Sequence, residues 1–277
     1  MARRYSRRSF FKNAAGLTTA TLLVDRTAGS AHAYRTYLPF DPETDTHHGY
    51  RYGTIQHHRP EFEPTGEKFV PVRLKYPGGD WYTNIVDYYR WPSDLKFSQV
   101  LNDATSIDVA LYEHPQYVSV DDEDLFAYPY LLVTGHVGVD FSEAQARKLG
   151  EYLERGGFLH VEDCDIRLNR GRGFMRNSIH RLMKQIFPDK KFEQIDLSHP
   201  IYHTLYDHNE YLGGDKLVYP YGSYDDALIL DDRVAVYFCP SDLNCAWEGR
   251  PCYPGGEEQR QWAFEQGMNV VAYALSR

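Results

Sequence analysis

The chain has 277 residues, which is enough for one α/β domain with a full hydrophobic core or for two small domains. Lys and Arg total 30 and Asp and Glu total 39, so the formal charge is −9, which disfavours general binding to nucleic acids or anionic membranes. Apolar residues make up 42% and charged residues 25%, the balance of an ordinary soluble globular protein. No motif in the sequence indicates a particular reaction.

The first 33 residues carry the features of a twin-arginine (Tat) signal peptide. Residues 6–12, Ser-Arg-Arg-Ser-Phe-Phe-Lys, match the twin-arginine pattern, and residues 13–24 form a modestly apolar run that is too short to span a bilayer. Residues 31–33, Ala-His-Ala, have the small-x-small pattern of a cleavage site. We therefore predict export by the Tat translocase to the periplasm or another exported location, with a basic disordered tail as the alternative.

Removal of residues 1–33 leaves 24 basic and 38 acidic residues, a formal charge of −14, and no apolar run long enough for a transmembrane helix. An exported chain meets an oxidising environment, where disulfides form and persist. One or two disulfides are therefore predicted, with the pairing left open. The candidates are Cys164, Cys239, Cys245 and Cys252. The spacing of the last three matches no common zinc-binding pattern.

The domain organisation follows from changes in periodicity. Residues 34–67 are polar without periodicity and are typical of an extended arm or linker, and the folded domain is predicted over 68–277. Phe69–Tyr76 alternates like a strand and ends at a Pro-Gly-Gly turn. A helix is predicted at Leu95–Ala104 and a second strand at Ile107–Tyr112.

The clearest unit is a strand, a helix and a further strand. Tyr130–Thr134 is a short apolar run typical of a strand buried on both faces. Ser142 and Gln145 then form a capping box, and Gly156-Gly157 ends the helix before the strand Phe158–Val161. This unit is the right-handed crossover of a parallel sheet.

Three further elements complete the pattern. A helix is predicted at Met175–Phe187, a strand at Val234–Phe238 and a closing helix at Met268–Leu275. Alternating strands and helices indicate an α/β fold with a mostly parallel sheet and helices on both faces. In such folds the ligand crevice lies beyond the carboxyl ends of the strands.

Side chains that can bind a metal or transfer a proton follow these strands. His136 comes after the first central strand, and Glu162, Asp163 and Asp165 end the next one. The later His199 and Asp242 are further candidates for the same crevice. His and carboxylate side chains suit a divalent metal or acid–base catalysis, while capping of turns and helices is the structural alternative. The catalytic candidates are His136, Glu162 and Asp163, and the metal-ligand candidates are His136, Glu162, Asp165 and His199.

Two other groups extend the predicted pocket. The glycine-punctuated loop with Arg170 and Arg172 suits a phosphate, sulfate or carboxylate, although neutralisation of the neighbouring acids is the favoured interpretation. Trp81 and Trp247 are predicted at the rim of the pocket. Motifs for a serine-hydrolase elbow, a phosphate-binding loop and a dinucleotide fingerprint do not occur.

Several ordered segments together resemble the bacterial family called domain of unknown function 4159. They are residues 73–82, 135–136, 156–164, 199–200 and 241–248. The resemblance covers the chain from about residue 69 to the C-terminus and implies a three-layer, flavodoxin-like fold similar to class I glutamine amidotransferases, with no established activity. Those amidotransferases carry a nucleophilic Cys at a turn after a central strand, and the comparable turn here, Thr134-Gly135-His136, has none.

The sequence thus supports two hypotheses. The first is an exported soluble protein that binds a small molecule or an envelope protein at the strand ends. The alternative is a metal-assisted hydrolase that uses the His and carboxylate side chains of the same strand ends. A hydrolase requires at least three ligand atoms converging on one point with an open position, whereas a binding domain would hold these side chains in hydrogen bonds.

Overall fold

A computed structural model describes residues 68–77, 81, 93–112, 116–164, 173–215, 225–248 and 252–277. The predicted signal peptide (1–33) and polar arm (34–67) lie outside the described residues. Of the candidate site residues, Asp165, Arg170 and Arg172 also lie outside them.

One seven-stranded sheet organises the described chain, in the order β2-β1-β3-β4-β7-β6-β5. The strands are β1 (Val72–Lys75), β2 (Gln116–Ser119), β3 (Tyr130–Gly135), β4 (Phe158–Asp163), β5 (Phe192–Gln194), β6 (Asp226–Leu230) and β7 (Arg233–Cys239). The pairs from β2 through β1, β3 and β4 to β7 are parallel, while β6 is antiparallel to both β7 and β5. The predicted α/β class with a mostly parallel sheet is confirmed.

Helices pack on both faces of this sheet. They are α1 (Ser93–Ala104), α2 (Glu143–Glu154), α3 (Phe174–Ile186), α4 (Leu243–Ala246) and α5 (Gly256–Ser276), with short 3-10 helices at Glu123–Ala127 and Pro200–Tyr202. The core on one face joins α1, α4 and α5, and the core on the other joins α2 and α3. No helix in the described part of the chain is both long enough and apolar enough to cross a membrane.

The central pair β3 and β4 separates the two cores. It is in register from Tyr130 beside Phe158 to Gly135 beside Asp163, and every residue of both strands is buried. Alternate side chains enter opposite cores, as a period of two requires. Each buried Leu or Val contributes about 2 kcal/mol, so these strands anchor the fold.

Helix α2 forms as its capping signals predict. The Gln145 amide donates to Ser142 Oγ at 3.3 Å, and the Ser142 amide donates to Gln145 Oε1 at 3.1 Å. Ala146, Leu149 and Leu153 are buried on one stripe, and Gly156 follows with a φ of 101° that favours glycine. The crossover unit is therefore confirmed.

The predicted strand at Ile107–Tyr112 is wrong. Val109 makes an isolated parallel bridge to Phe69, and the strand that pairs with β1 at this edge is β2. The sequence of β2, Gln-Tyr-Val-Ser, alternates between buried and half-buried residues and contains a single aliphatic side chain. An edge strand of this kind gives a weak apolar signal, so it escapes a search for apolar runs.

Candidate functional site

The candidate site lies where the parallel strands end, at an edge that we call the carboxyl edge. Gly135, Asp163 and Cys239 are the last residues of β3, β4 and β7. Because β6 runs the other way, its first residue, Asp226, lies beside Phe238 at the same edge. This is the place where the sequence predicts a crevice.

The strand-end candidates do not form one cluster. His136 follows β3 and is half-buried, next to the end of β4 because Gly135 pairs with Asp163. Glu162 and Asp163 are both buried, but they are consecutive in a strand and point to opposite faces of the sheet. The two carboxylates are therefore not positioned to converge on a single ion.

Glu162 is part of an internal hydrogen-bonded chain. The backbone amide of Leu243, at the start of α4, donates to Glu162 Oε2 at 2.7 Å. The other oxygen, Oε1, faces Nε2 of His160 at ion-pair distance without hydrogen-bond alignment. His160 Nδ1 lies 2.6 Å from the hydroxyl of Tyr130. Tyr130, His160 and Glu162 thus connect β3, β4 and α4 inside the core.

Burial sets the charge of this pair. Desolvation, followed by the nearby Asp242 carboxylate, raises the pKa of Glu162 well above its usual range. Desolvation lowers the pKa of His160 to about 3. Burial therefore favours the neutral form of both groups, and in that form the Glu162 carboxyl has a proton to offer towards His160 Nε2.

A second buried carboxylate, Asp225, is surrounded by tyrosines. The hydroxyls of Tyr202 and Tyr211 donate to it at 2.7 Å each, and Tyr237 donates to the same carboxylate. Burial raises its pKa to about 6, although the tyrosine hydrogen bonds act in the opposite direction. Sequence reasoning missed this group because its members are separated by up to 35 positions and share no motif.

Cys164, Asp242 and Cys245 form a third group, which we call the Cys–Asp–Cys cluster. Its sulfur and oxygen ligand atoms all lie within 4.8 Å of one another, and the three residues are buried. Asp242 caps α4 by accepting from the Cys245 amide at 3.1 Å, and Cys164 Sγ donates to the same oxygen at 3.2 Å. The two sulfurs are 3.9 Å apart. Among the described residues it is the one group with three metal-ligating atoms so close together.

None of the predicted disulfides is formed in the structure. All four cysteines are described, and all are buried without a disulfide bond. Cys239, Cys245 and Cys252 lie within 14 residues of one another in the sequence, but they belong to three separate elements. Cys239 ends β7, Cys245 lies within α4, and Cys252 pairs its backbone with Gly256 at the start of α5.

The two tryptophans predicted at the rim belong to the core instead. Trp247 is 1% exposed, stacks on Phe97 with ring centroids 4.0 Å apart, and donates from its indole to the Ala263 carbonyl. Trp81 is buried against Tyr117, with ring centroids 4.9 Å apart. Aromatic residues in a core bury large apolar areas, and that role accounts for both.

His199 lies away from the carboxyl edge. Its Nδ1 accepts from the Ile201 amide at 3.2 Å, which makes it the N-cap of the 3-10 helix. Its ring packs near Tyr273, whose hydroxyl accepts from the Val234 amide near the start of β7. The structural alternative, capping, therefore describes His199.

Exposed apolar side chains accompany the carboxyl edge. Val137 is 40% exposed and Phe174 is 43% exposed, at the turn after β3 and the start of α3. These segments touch, because the Val139 amide donates to Ser178 Oγ at 3.0 Å. Tyr253 is 72% exposed, and its amide donates to the Asp215 carbonyl.

The segment of Tyr253 belongs to the same edge. The Asp215 amide donates to the Asp242 carbonyl at 2.9 Å, next to the N-terminus of α4. Sequence reasoning missed Val137, Phe174 and Tyr253, because isolated apolar residues at the ends of elements carry no periodicity.

These features define the class of protein: an α/β domain with a mostly parallel sheet whose carboxyl edge is braced from within by buried polar side chains. The chain belongs to the family described as Domain of unknown function (DUF4159), whose model matches residues 71–275. A comparison with curated proteins found no match.

Proposed function

We propose that the protein is an exported binding protein of the cell envelope, which holds a small molecule or an envelope partner at the carboxyl edge. One observation carries this proposal. Of the four exposed large apolar side chains in the described residues, Val137, Phe174 and Tyr253 belong to segments of this edge. Exposed apolar groups rimmed by polar ones are typical of binding surfaces, and half-buried His136 stands beside Val137.

The hydrolase alternative is less well supported by the geometry. Glu162 is 0% exposed and is hydrogen-bonded to a backbone amide, so it is not placed to activate water on a substrate. Asp163 points to the opposite face, and His199 caps a helix far from the strand ends. The Cys–Asp–Cys cluster is enclosed in the core, where a substrate has no access.

A double variant tests the binding surface. Val137→Ser with Phe174→Ser removes exposed apolar contacts, so the complex isolated from the envelope should weaken by at least about tenfold, a loss of roughly 1.4 kcal/mol. Leu111→Ser is the matched control, because Leu111 is 49% exposed and follows the bridge at the amino side of β1. Native mass spectrometry of the isolated protein reports the bound species. Equal retention by the double variant and the control would contradict the proposal.

The export part of the proposal rests on residues 1–33. Arg7→Lys with Arg8→Lys should retain the precursor in the cytoplasm, because the export machinery recognises the two arginines themselves and not only their positive charge. Arg3→Lys with Arg4→Lys changes the same residue types outside the pattern and should be exported normally. Cell fractionation distinguishes the two. Export of both double variants would remove this part of the proposal.

The fold type implied by the resemblance also belongs to the proposal. A flavodoxin-like arrangement, similar to class I glutamine amidotransferases, agrees with the parallel sheet and with helices on both faces. Glutaminase activity is not part of the proposal, because the turn after β3 carries Gly135 and His136 and no cysteine.

A further inference from the structure

We propose that Cys164, Asp242 and Cys245 bind one zinc ion, which has a structural role. The site lies in the core beneath the carboxyl edge and is formed by the end of β4 and the first turn of α4. It uses none of the His residues that the sequence suggests as ligands. The inference stands on its own geometry and does not depend on the proposed binding function.

Two of the three distances between the ligand atoms agree with the edges of a coordination tetrahedron, and the third is no longer than 4.8 Å. Two thiolates on one tetrahedral zinc ion, each about 2.3 Å from the metal, lie about 3.8 Å apart. Cys164 and Cys245 have their sulfurs 3.9 Å apart. A thiolate and a carboxylate oxygen on the same ion lie about 3.5 Å apart, and the observed separation of Cys164 Sγ and Asp242 Oδ1 is 3.2 Å. A disulfide requires sulfurs about 2.05 Å apart.

Backbone contacts hold the ligands in place without a metal. Asp242 has a φ of 63°, a left-handed conformation that is uncommon for residues other than glycine. Its carboxylate accepts from the Cys245 amide, and its carbonyl accepts from the Asp215 amide. A ligand set that is preorganised in this way loses little conformational freedom when it binds an ion.

The chemistry of the donors selects the ion. Thiolates favour zinc, monovalent copper or iron–sulfur clusters, and a carboxylate in addition favours zinc among these. On binding, each thiol loses its proton to solvent, so two thiolates and one carboxylate surround a divalent ion. The described residues bring no fourth ligand into the cluster, so the proposal assigns the fourth position to a water molecule. The Thr134 hydroxyl, 3.0 Å from Cys164 Sγ, is placed to orient that sulfur.

Burial determines how the ion enters. Cys164 is 1% exposed, Asp242 is 0% exposed and Cys245 is 8% exposed, so the ion is incorporated while the chain folds. A chelator should therefore remove it slowly from the folded protein and rapidly in denaturant. The ion would join α4 to the end of β4, which positions the floor of the carboxyl edge.

The test uses the full chain purified without a metal-binding tag. Elemental mass spectrometry should find about one zinc ion per chain, because a structural site of this type binds tightly. Cys164→Ala and Cys245→Ala should lose it. Cys239→Ala and Cys252→Ala are matched controls, since both remove a buried thiol outside the cluster and should retain the ion. Substitution by Co²⁺ should give a thiolate-to-cobalt charge-transfer band in the wild type and in the controls alone.

A measurement on the wild type covers variants that fail to fold. Thiol titration in denaturant with a chelator, without reductant, should find all four thiols, together with the zinc that is released. Two titratable thiols and no zinc would mean a Cys164–Cys245 disulfide and would overturn the proposal. Zinc that persists in both Cys→Ala variants would overturn it as well. The Val137→Ser, Phe174→Ser double variant should keep its zinc, which separates this result from the binding test.

Discussion

Glu162 and His160 lie two residues apart on β4, with both side chains withdrawn from solvent. Glu162 joins the Leu243 amide to His160, and His160 joins Glu162 to Tyr130. At the scale of single residues, burial therefore makes Glu162, which the sequence predicts as a catalytic candidate, part of an internal brace in which the neutral forms of Glu162 and His160 are favoured. If Glu162 is neutral, its replacement by the neutral isostere Gln should be tolerated. This substitution therefore tests the protonation state of Glu162.

Glu162→Gln should change the free energy of unfolding by less than about 1 kcal/mol, because the amide accepts from Leu243 and donates to His160 as the protonated acid does. Glu162→Ala should cost about 3 kcal/mol, since it leaves buried polar groups without this partner and opens a cavity. Urea unfolding at pH 7 measures both. Equal destabilisation by the two variants would mean that Glu162 is ionised in the folded protein.

Asp225 should give the stability a pH dependence with a definite sign. Its pKa rises on folding from 3.8 to about 6, so the folded state binds the proton more tightly. The stabilisation is complete below the unfolded pKa and is lost as pH rises through about 6, an effect of about 3 kcal/mol. His160 acts in the opposite direction, since its pKa of about 3 costs stability as pH falls below 6.5.

Comparison with Asp225→Asn isolates this contribution, because His160 is common to both proteins. The unfolding free energy of the wild type, relative to the variant, should decrease by about 2 kcal/mol between pH 4 and pH 7. Asp189→Asn, at an exposed position on the loop after α3, should leave the profile unchanged. A constant difference between the wild type and Asp225→Asn across this range would be inconsistent with a raised pKa.

At the scale of elements, the N-terminus of α4 depends on a close backbone contact. A Cβ on Gly214 would lie 2.4 Å from the carbonyl carbon and oxygen of Asp242 and 2.5 Å from the Leu243 nitrogen. The neighbouring Asp215 amide fixes the same carbonyl. The segment at 211–215 therefore holds the helix start that carries Asp242.

Gly214→Ala should destabilise the protein by about 2 kcal/mol, because the added methyl group collides with backbone that cannot move aside. Gly256→Ala is an informative comparison. A Cβ at this position meets nothing within 4 Å. The only cost is therefore that of holding alanine in the left-handed conformation at φ +65°, about 1 kcal/mol. Thermal unfolding should rank Gly214→Ala as the more damaging change, and the reverse order would argue against the close contact.

The elements differ in how far the sequence predicts them. Helix α2 follows directly from its capping box and apolar stripe, because its signals are local. Helix α5 is predicted only at Met268–Leu275 but begins at Gly256. Its first half buries Gln259, Arg260 and Gln266, so a search for an apolar stripe passes over it. Tertiary packing, not local pattern, decides that half.

At the scale of the whole molecule, the sequence predicts where the site lies better than what it contains. The crossover unit fixes the sheet direction and therefore the carboxyl edge with His136 and Asp163. The Asp225 group and the Cys–Asp–Cys cluster join residues from distant parts of the chain, and only the folded sheet brings them together. The buried polar groups beneath this edge and the exposed apolar side chains on it are likewise brought together only by the fold.

The central claim is that the carboxyl edge is the binding surface, and site-specific cross-linking in cells tests it most directly. A photo-cross-linking phenylalanine analogue replaces Phe174, at the start of α3, in one strain and Leu111, outside the carboxyl edge, in another; both positions are exposed and apolar. After illumination, mass spectrometry should find a defined adduct at position 174 and none at position 111. The same products at both positions, or none at position 174, would contradict the claim.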